Sequence, residues 1–498
     1  LAHVYQLTAH FLVKIEIIKD SDISSLIMTF VKETITFLRD PEVNNDWDWQ
    51  KLRQYFCGVV EKFYDGLCIL KSENNETSNE MSLEMRTLIF KMIEEWCGHG
   101  KKGVQYRAKE TSMLTSIMDQ YRDSEERRPL TTQLESDRKA LEFAALSAMA
   151  SLCRGNLAKQ DSGTKKQLLD AESVFPWIQS VFEDLQDRLH PIARKALKGL
   201  LISNSNTPNF LEVPIRLCYS GNPASKSTQG YFLALAEVFF ENKGYPFQDN
   251  QPSNVLALAL FKTGDADLEV RQNALKLLNI IETRFYKESC TDEFKVGITS
   301  QLSSIYKQAQ LALSTRLAQN ARKRDEEKRI ANINNDDTDI REETHYMLSE
   351  SSMRFESIPE KGKKEMLRYL APWVRNIELR FTDRGELHPT TFIMISNLFF
   401  ITVKYGDIFV REIEKLWQQL VMGEHARNIR AIVKFLIDVG LEKRNPIFVF
   451  HAKRVFVYLG RTPTCAAVIE ALIKEITPKS MTPQPKETLE HENYNFSG

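Results

Sequence analysis

The sequence predicts an all-α protein, an armadillo/HEAT-like α-solenoid of stacked helix pairs, and three observations point there. Length is the first. A single hydrophobic core stops growing at roughly 250–300 residues, so 498 residues form either several domains or a quasi-one-dimensional array. Glycine and proline are the second: 20 and 17 of them fall below the roughly 12% of average usage, as long uninterrupted helices require. The third is apolar recurrence at the helical period, with no convincing strand alternation. A hydrophobic fraction of 42%, with 28 Phe and 15 Tyr, supplies buried faces and excludes global disorder.

Taken in order, Ile23, Leu26, Ile27, Phe30, Val31, Ile35 and Leu38 line one helix face, opened by Asp20-Ser21 as a cap and closed by Asp40-Pro41. Leu52, Tyr55, Phe56, Val59, Val60, Phe63, Tyr64 and Leu67 repeat the pattern. Neither helix buries its face alone, so the two read as an αα-hairpin. Further stripes follow at 83–96, 141–153, 174–185, 192–202, 231–240, 255–261 and 270–281. Residues 191–200 and 267–278 both resemble the second helix of a HEAT unit. Their arginines, Arg194 and Arg271, lie 271 − 194 = 77 residues apart, near two units of roughly 40.

Composition divides the chain. Residues 1–320 read as an N-terminal helical-repeat half, 321–357 as a charged, largely disordered linker, 358–476 as a second helical-repeat segment, and 477–498 as a disordered tail. The linker reading rests on Ala321 to Glu343, with six Lys/Arg and eight Asp/Glu but few apolar residues. Because the chain begins at Leu1 within a helical pattern and without Met, it is expected to be a piece of something longer.

Charge and cysteine usage exclude several classes. Lys+Arg (66) and Asp+Glu (67) nearly cancel to −1, so the footprint of a dedicated nucleic-acid binder is missing. Seven Cys without any C-x-x-C read as buried thiols of a reducing compartment. No stretch approaches the ~18 apolar residues of a membrane span.

Catalytic and ligand motifs are also missing. Gly98-His-Gly100-Lys-Lys-Gly103 formally satisfies G-x-G-x-x-G, yet it trails a helical stripe instead of following a strand, so its glycines read as helix C-caps and Lys101 and Lys102 as cations at a helix C-terminus. Walker, nucleophile-elbow, H-E-x-x-H and EF-hand patterns do not occur, and the nine His lack ligand spacing. No enzyme, cofactor or metal site is therefore expected. Trp47 and Trp49 read as packing over the end of the next helix, with a contact anchor as the alternative, while Trp96, Trp177, Trp373 and Trp417 fall within stripes and read as core.

Two stretches carry a family resemblance. Residues 365–379, containing Leu-Ala-Pro372-Trp373 and Asn376-Ile377-Glu378-Leu379, precede FFITVKYGD at 399–407, a segment ending in Trp417, Asn428-Ile429-Arg430, and Lys453-Arg454-Val455 with Tyr458-Leu459. In the first half, FKMIEEWCG at 90–98 and LEFAALSAMASLC at 141–153 match in the same order. These strings resemble the central region of the Furry family, which includes the fungal cell-morphogenesis proteins, collinearly over residues 1–476. Pro372 predicts a helix break that Trp373 covers, with Asn376 and Glu378 capping freed backbone groups. The family signature, Pro372, Trp373, Asn376, Glu378, Trp417 and Asn428, reads either as a packing motif or as a partner surface.

The resemblance implies a large cytoplasmic scaffold that docks an NDR/LATS-type protein kinase and its Mob co-activator, without nucleic acid or membrane insertion, and gathers at the cell cortex at sites of polarised growth. Two other readings stay open at this level. One is a solenoid adaptor for trafficking cargo or a small GTPase. The other is a regulator of GTP hydrolysis, whose mark would be an arginine finger on an ordered loop, with Arg380 and Arg384 as the candidates.

Overall fold

A computed structural model describes residues 2–44, 46–72, 81–158, 168–184, 187–207, 210–220, 226–242, 244–247, 251–286, 289–331, 343–443 and 445–476. Among them there are α-helices and no β-strand; an isolated antiparallel bridge joins Phe381 and Leu387. By internal contacts the chain forms two compact units, Leu1–Cys218 with Ala224–Phe247 and Tyr219–Pro223 with Gln248–Gly498. Both are stretches of α-solenoid, as the sequence predicts.

In unit 1, one row runs through α1 (Ala2–Phe11), α3 (Gln50–Ser72), α6 (Arg127–Leu152), α8 (His190–Ser203) and α9 (Lys226–Glu241), each packed on the next. Beside it lie α2 (Ser21–Leu38), α4 (Leu83–Trp96), α5 (Gly100–Gln120) and α7 (Ala171–Glu183). Unit 2 begins with α10 (Gln251–Lys262) and α11 (Leu268–Ile281), then alternates regularly. One row is α12 (Ser303–Ala331), α14 (Glu360–Arg375), α16 (Val410–Met422) and α18 (Pro446–Gly460). The other is α10, α13 (Glu343–Arg354), α15 (Pro389–Tyr405), α17 (Arg427–Lys443) and α19 (Cys465–Ile476). Each amphipathic helix covers its stripe with the helix before it, the one after it and the opposite row, so the apolar side is closed only by neighbours.

Residues 321–357 show how a charged composition fits this packing. Residues 321–331 complete α12, and α13 buries Thr344, Met347, Leu348 and Glu350. Arg324 bonds Glu343 at 2.6 Å while its guanidinium lies 3.6 Å over the Tyr286 ring, and Arg354 bonds Glu350 at 2.8 Å. Residues 332–342, and the tail read at 477–498, lie outside the described residues.

The G-x-G-x-x-G stretch is a helix junction. Gly98 (φ 71°) follows α4 in the left-handed conformation of a C-terminal cap. At Gly103 a Cβ would come within 2.9 Å of the Gly98 backbone, so glycine permits the close approach. The connection is shorter than its composition suggests, because α5 begins at Gly100. Lys101 and Lys102 accordingly stand in the first turn of α5, where the dipole opposes them, and Lys102 is held by Glu94 at 2.9 Å. Trp47 and Trp49 are half-buried, with Trp49 edge-on to Phe37 of α2 at 4.9 Å; the other four tryptophans are core. Five of the seven thiols are buried, Cys68 and Cys465 partly so. Burial pushes the thiols of Cys97, Cys153 and Cys290 up to about 12.

Arginines fasten the loops. At the fourth position of α3, Arg53 is fully buried and donates to the carbonyls of Val43 (2.5 Å) and Asp46 (3.1 Å) and to Gln50 (2.8 Å). At the fourth position of α11, Arg271 donates to the carbonyls of Asp265 and Ala266 (both 2.8 Å), Ile298 (2.8 Å) and Ser300 (2.9 Å). One guanidinium thereby closes several loop carbonyls that helix geometry leaves open.

Candidate functional site: signature fastenings and two grooves

The six signature residues divide by exposure. Trp373 and Trp417 are 1% and 0% exposed. The Trp373 indole N–H donates to Ser314 Oγ at 2.9 Å, and Ser314 in turn donates to the Tyr369 carbonyl at 2.6 Å, tying α14 to α12. Trp417 repeats the device with Thr402 Oγ1 at 2.9 Å, and Thr402 donates to the Leu398 carbonyl at 2.8 Å, tying α16 to α15. Each indole nitrogen therefore meets the acceptor its burial demands.

Pro372 does not break α14, which continues to Arg375. Proline removes one donor, yet packing on both sides carries the helix one more turn. Asn376 is the C-cap, its N–H donating to the Trp373 carbonyl at 3.0 Å and its side chain to the Ala318 carbonyl of α12 at 2.9 Å. Glu378 lies 3.5 Å from Arg380 and is half-buried.

Asn428, at the start of α17, is fully buried. Its Oδ1 accepts from the Leu379 amide (2.8 Å), while Nδ2 donates to the carbonyls of Ile377 (2.8 Å) and Leu420 (2.9 Å). The segment leaving α14 is thus read by one amide side chain at the carbonyl of a residue and the N–H two residues on. Unit 1 holds the same device. Asn204, just past α8, accepts from the Leu157 amide (3.0 Å) and donates to the carbonyls of Gly155 (3.2 Å) and Leu200 (2.9 Å), pinning the segment that leaves α6. Sequence reasoning missed Asn204, because an Asn at a helix end reads as an ordinary cap.

Two grooves open on the helix rows. In unit 1, a groove of about 910 Å³ lies among α3, the start of α4, the turn after α6 and α8. Its charged lining is Lys71, Arg86, Arg154, Arg194, Lys195 and Lys198 against Glu237. Arg86, the fourth residue of α4, is 5% exposed and donates to Tyr64 Oη at 3.1 Å and to the Asn156 carbonyl. Tyr64 in turn donates its O–H to the Arg154 carbonyl at 3.1 Å, and burial pushes its hydroxyl up to about 12. In unit 2, a groove of about 430 Å³ crosses α12, α14 and α16. There Glu365 takes Lys307 (2.9 Å) and Arg368 (3.5 Å), and Glu412 takes Arg368 (3.5 Å) and Lys364 (3.8 Å).

Other surfaces bear on recognition. Helices α15 and α18 expose Phe392, Ile393, Phe400, Ile447 and Phe450. The loop at 380–389 is an ordered turn, with Thr382 N–H on the Glu386 carbonyl at 2.8 Å and Gly385 at φ 76°. Arg384 stands exposed at its tip, while Arg380 is occupied by Glu378. Among the described residues no group of three or more His, Cys, Asp or Glu could hold a metal ion, and no helix is long and apolar enough to cross a membrane.

Fold and surface together define a helical-repeat protein with open grooves on its rows. The sequence matches the cell morphogenesis central region family over residues 1–192 and 186–493. The chain belongs to that family, the Furry-related group anticipated from the signature. It is 26% identical over 499 residues to the cell polarity protein mor2 of Schizosaccharomyces pombe, covering 100% of this chain and 21% of that one. With the cell morphogenesis protein PAG1 of Saccharomyces cerevisiae it shares 23% identity over 505 residues, covering 100% and 20%. The chain thus spans about a fifth of the length of these curated relatives.

Proposed function

We propose that this chain is a non-catalytic scaffold segment of cell-polarity and morphogenesis signalling, and that it docks an NDR/LATS-type kinase with its Mob co-activator at sites of polarised growth. The observation carrying this reading is the family correspondence along the whole chain, with relatives named for polarity and morphogenesis. The architecture supports it. Within each unit, stacked helix rows fix several surfaces relative to one another, and holding two partners on one chain raises their effective concentration without new contacts between them. Exposed aromatic residues on α15 and α18 supply anchors of the kind that dominate protein interfaces.

Biolayer interferometry of the immobilised chain against purified kinase, Mob and their complex tests the proposal. Saturable binding at micromolar concentration or tighter is expected. Absence of binding to all three, with binding to a small GTPase or a cargo signal in the same format, would replace the kinase scaffold by a trafficking adaptor.

A further inference from the structure

We propose that the basic groove of unit 1 is a docking site for an extended acidic peptide of a partner protein, one in which carboxylates alternate with apolar side chains. This inference stands apart from the kinase reading, since it concerns what the groove recognises and not which protein supplies it.

Charge accounting comes first. Several lining cations are answered from within the fold: Arg154 and Lys195 by Asp65 at 3.3 and 3.1 Å, and Lys198 by Glu241. Arg86 donates only to neutral oxygens, and its Nε is buried without a partner. Arg194 makes no hydrogen bond or ion pair among the described residues, and its Nε too is buried and unsatisfied. Arg194 is half-buried and Arg86 lacks a carboxylate partner, so two guanidinium groups on one groove, each with a buried Nε left unsatisfied, mark a place that favours an anion. Comparison with Arg271 sharpens this. The two arginines stand in matching HEAT-like segments, yet Arg271 donates to four carbonyls while Arg194 donates to none among the described residues.

Shape supports the same reading. Glycines line the groove at two points where a side chain would intrude. A Cβ at Gly155 would collide with the Arg86 guanidinium, and one at Gly199 would come within 2.9 Å of Arg154 Cγ. The room they leave is taken by the two arginine side chains, which are thereby accommodated in the groove wall.

The remaining lining selects among anions. Leu67, Ile69, Leu83 and Ile202 contribute apolar surface, with Ile69 and Ile202 exposed. A volume of about 910 Å³ exceeds the needs of an isolated phosphate and suits a short peptide in extended form. Single-stranded nucleic acid would want stacking platforms, whereas the lining aromatic, Tyr64, is buried and bonded to Arg86 and the Arg154 carbonyl. Alternation of carboxylate and apolar residues fits because an extended chain sends successive side chains to opposite sides.

Fluorescence anisotropy with the full chain tests the site. The probe is a fluorescein-labelled peptide of about ten residues alternating Glu and Leu, which extends over about 33 Å; a Lys-for-Glu counterpart and vesicles containing phosphatidylinositol bisphosphate are the comparison arms. Binding of the Glu peptide is expected, weakening as salt is added, with no binding of the Lys peptide. Arg194→Gln should weaken it about tenfold, the scale of one lost charge-assisted bond. Since Arg194 makes no hydrogen bond or ion pair among the described residues, the circular dichroism spectrum should not change. Glu237→Gln removes the opposing charge and should tighten binding, a gain that unfolding cannot mimic. Equal affinity of wild type and Arg194→Gln, equal binding of the Lys peptide, preference for the vesicles, or no binding of the Glu peptide each overturns the proposal.

Discussion

Replacing Asn428 by alanine tests the idea that a single buried amide spaces the rows of unit 2. The side chain is 0% exposed and makes three bonds of 2.8–2.9 Å to the Leu379 amide and the Ile377 and Leu420 carbonyls. A typical intramolecular hydrogen bond contributes about 1 kcal/mol net, and stranding a buried donor or acceptor costs about 1–3 kcal/mol. The Leu379 N–H has no second lone-pair option, unlike the carbonyls, so it bears most of the penalty. The loss expected for Asn428→Ala is therefore about 3–5 kcal/mol. For a unit of roughly 250 residues, at about 2–4 °C per kcal/mol, the transition of unit 2 should fall by about 6–20 °C in differential scanning calorimetry. Asn428→Asp separates bonding from volume. It retains the acceptor for Leu379 but turns a carboxylate toward two carbonyls, which raises the folded-state pKa of the introduced group. That variant should be less stable at neutral pH and should recover part of the loss as pH falls through its raised folded-state pKa toward the unfolded value of about 3.9. A shift below about 2 °C for Asn428→Ala would refute the clamp, showing that water or a small relaxation replaces the amide.

Four further outcomes follow from the same geometry. Asn204→Ala should destabilise unit 1 by about 2–4 kcal/mol, slightly less than its counterpart because its bonds are longer, read as a separate calorimetric shift. Trp417→Phe keeps an aromatic ring in the core but removes the donor to Thr402 Oγ1, for an expected loss of about 1–2 kcal/mol in urea titration. Burial opposes ionisation of Glu142, yet His99 at 3.1 Å and Arg107 at 2.6 Å outweigh it and hold the carboxyl below its ordinary value. A depressed folded pKa stabilises above the unfolded pKa of about 4.3 and loses that stability as pH falls through the folded value, so Glu142→Gln should flatten the acid limb of a stability–pH curve of unit 1. Finally, Arg384→Ala should leave GTP hydrolysis by candidate small GTPases unchanged; a stimulation present in wild type and abolished in the variant would make the ordered turn at 380–389 an arginine finger.

The helices were legible because burial depends on periodicity, and periodicity is visible in one dimension. Stripes such as 52–67 and 270–281 became α3 and α11 with the expected faces inward. Their far ends were less so: Ile23 and Leu26, assigned to the buried face of α2, are 39% and 70% exposed. The charged stretch at 321–357 was read from composition, whereas Arg324, Glu343, Glu350 and Arg354 find one another and an aromatic ring across turns and helices, a pairing that composition cannot express. Pro372 was read locally as a break, and tertiary packing carried the helix past it. Arg194 and Arg271 looked alike in sequence, and only their surroundings differ. What each guanidinium meets is decided by loops some 5–30 residues away, as with Ile298 and Ser300 at Arg271.

Burial of the signature has a consequence for recognition. Trp373, Trp417 and Asn428 cannot touch a partner where they stand, so their influence on binding must pass through the spacing of α12, α14, α15, α16 and α17. A rigid row presents its outward side chains already in place, and a partner then spends less of its binding free energy on ordering them. Substituting a signature residue should accordingly weaken docking in proportion to the stability lost, whereas changing an exposed or groove-lining residue such as Phe400 or Arg194 should weaken docking with stability unchanged. Plotting affinity against unfolding free energy for both sets would distinguish the two: signature variants on one sloping line, surface variants off it. Signature variants that lose affinity with full stability would mean that these residues reach the partner in a conformation other than this one.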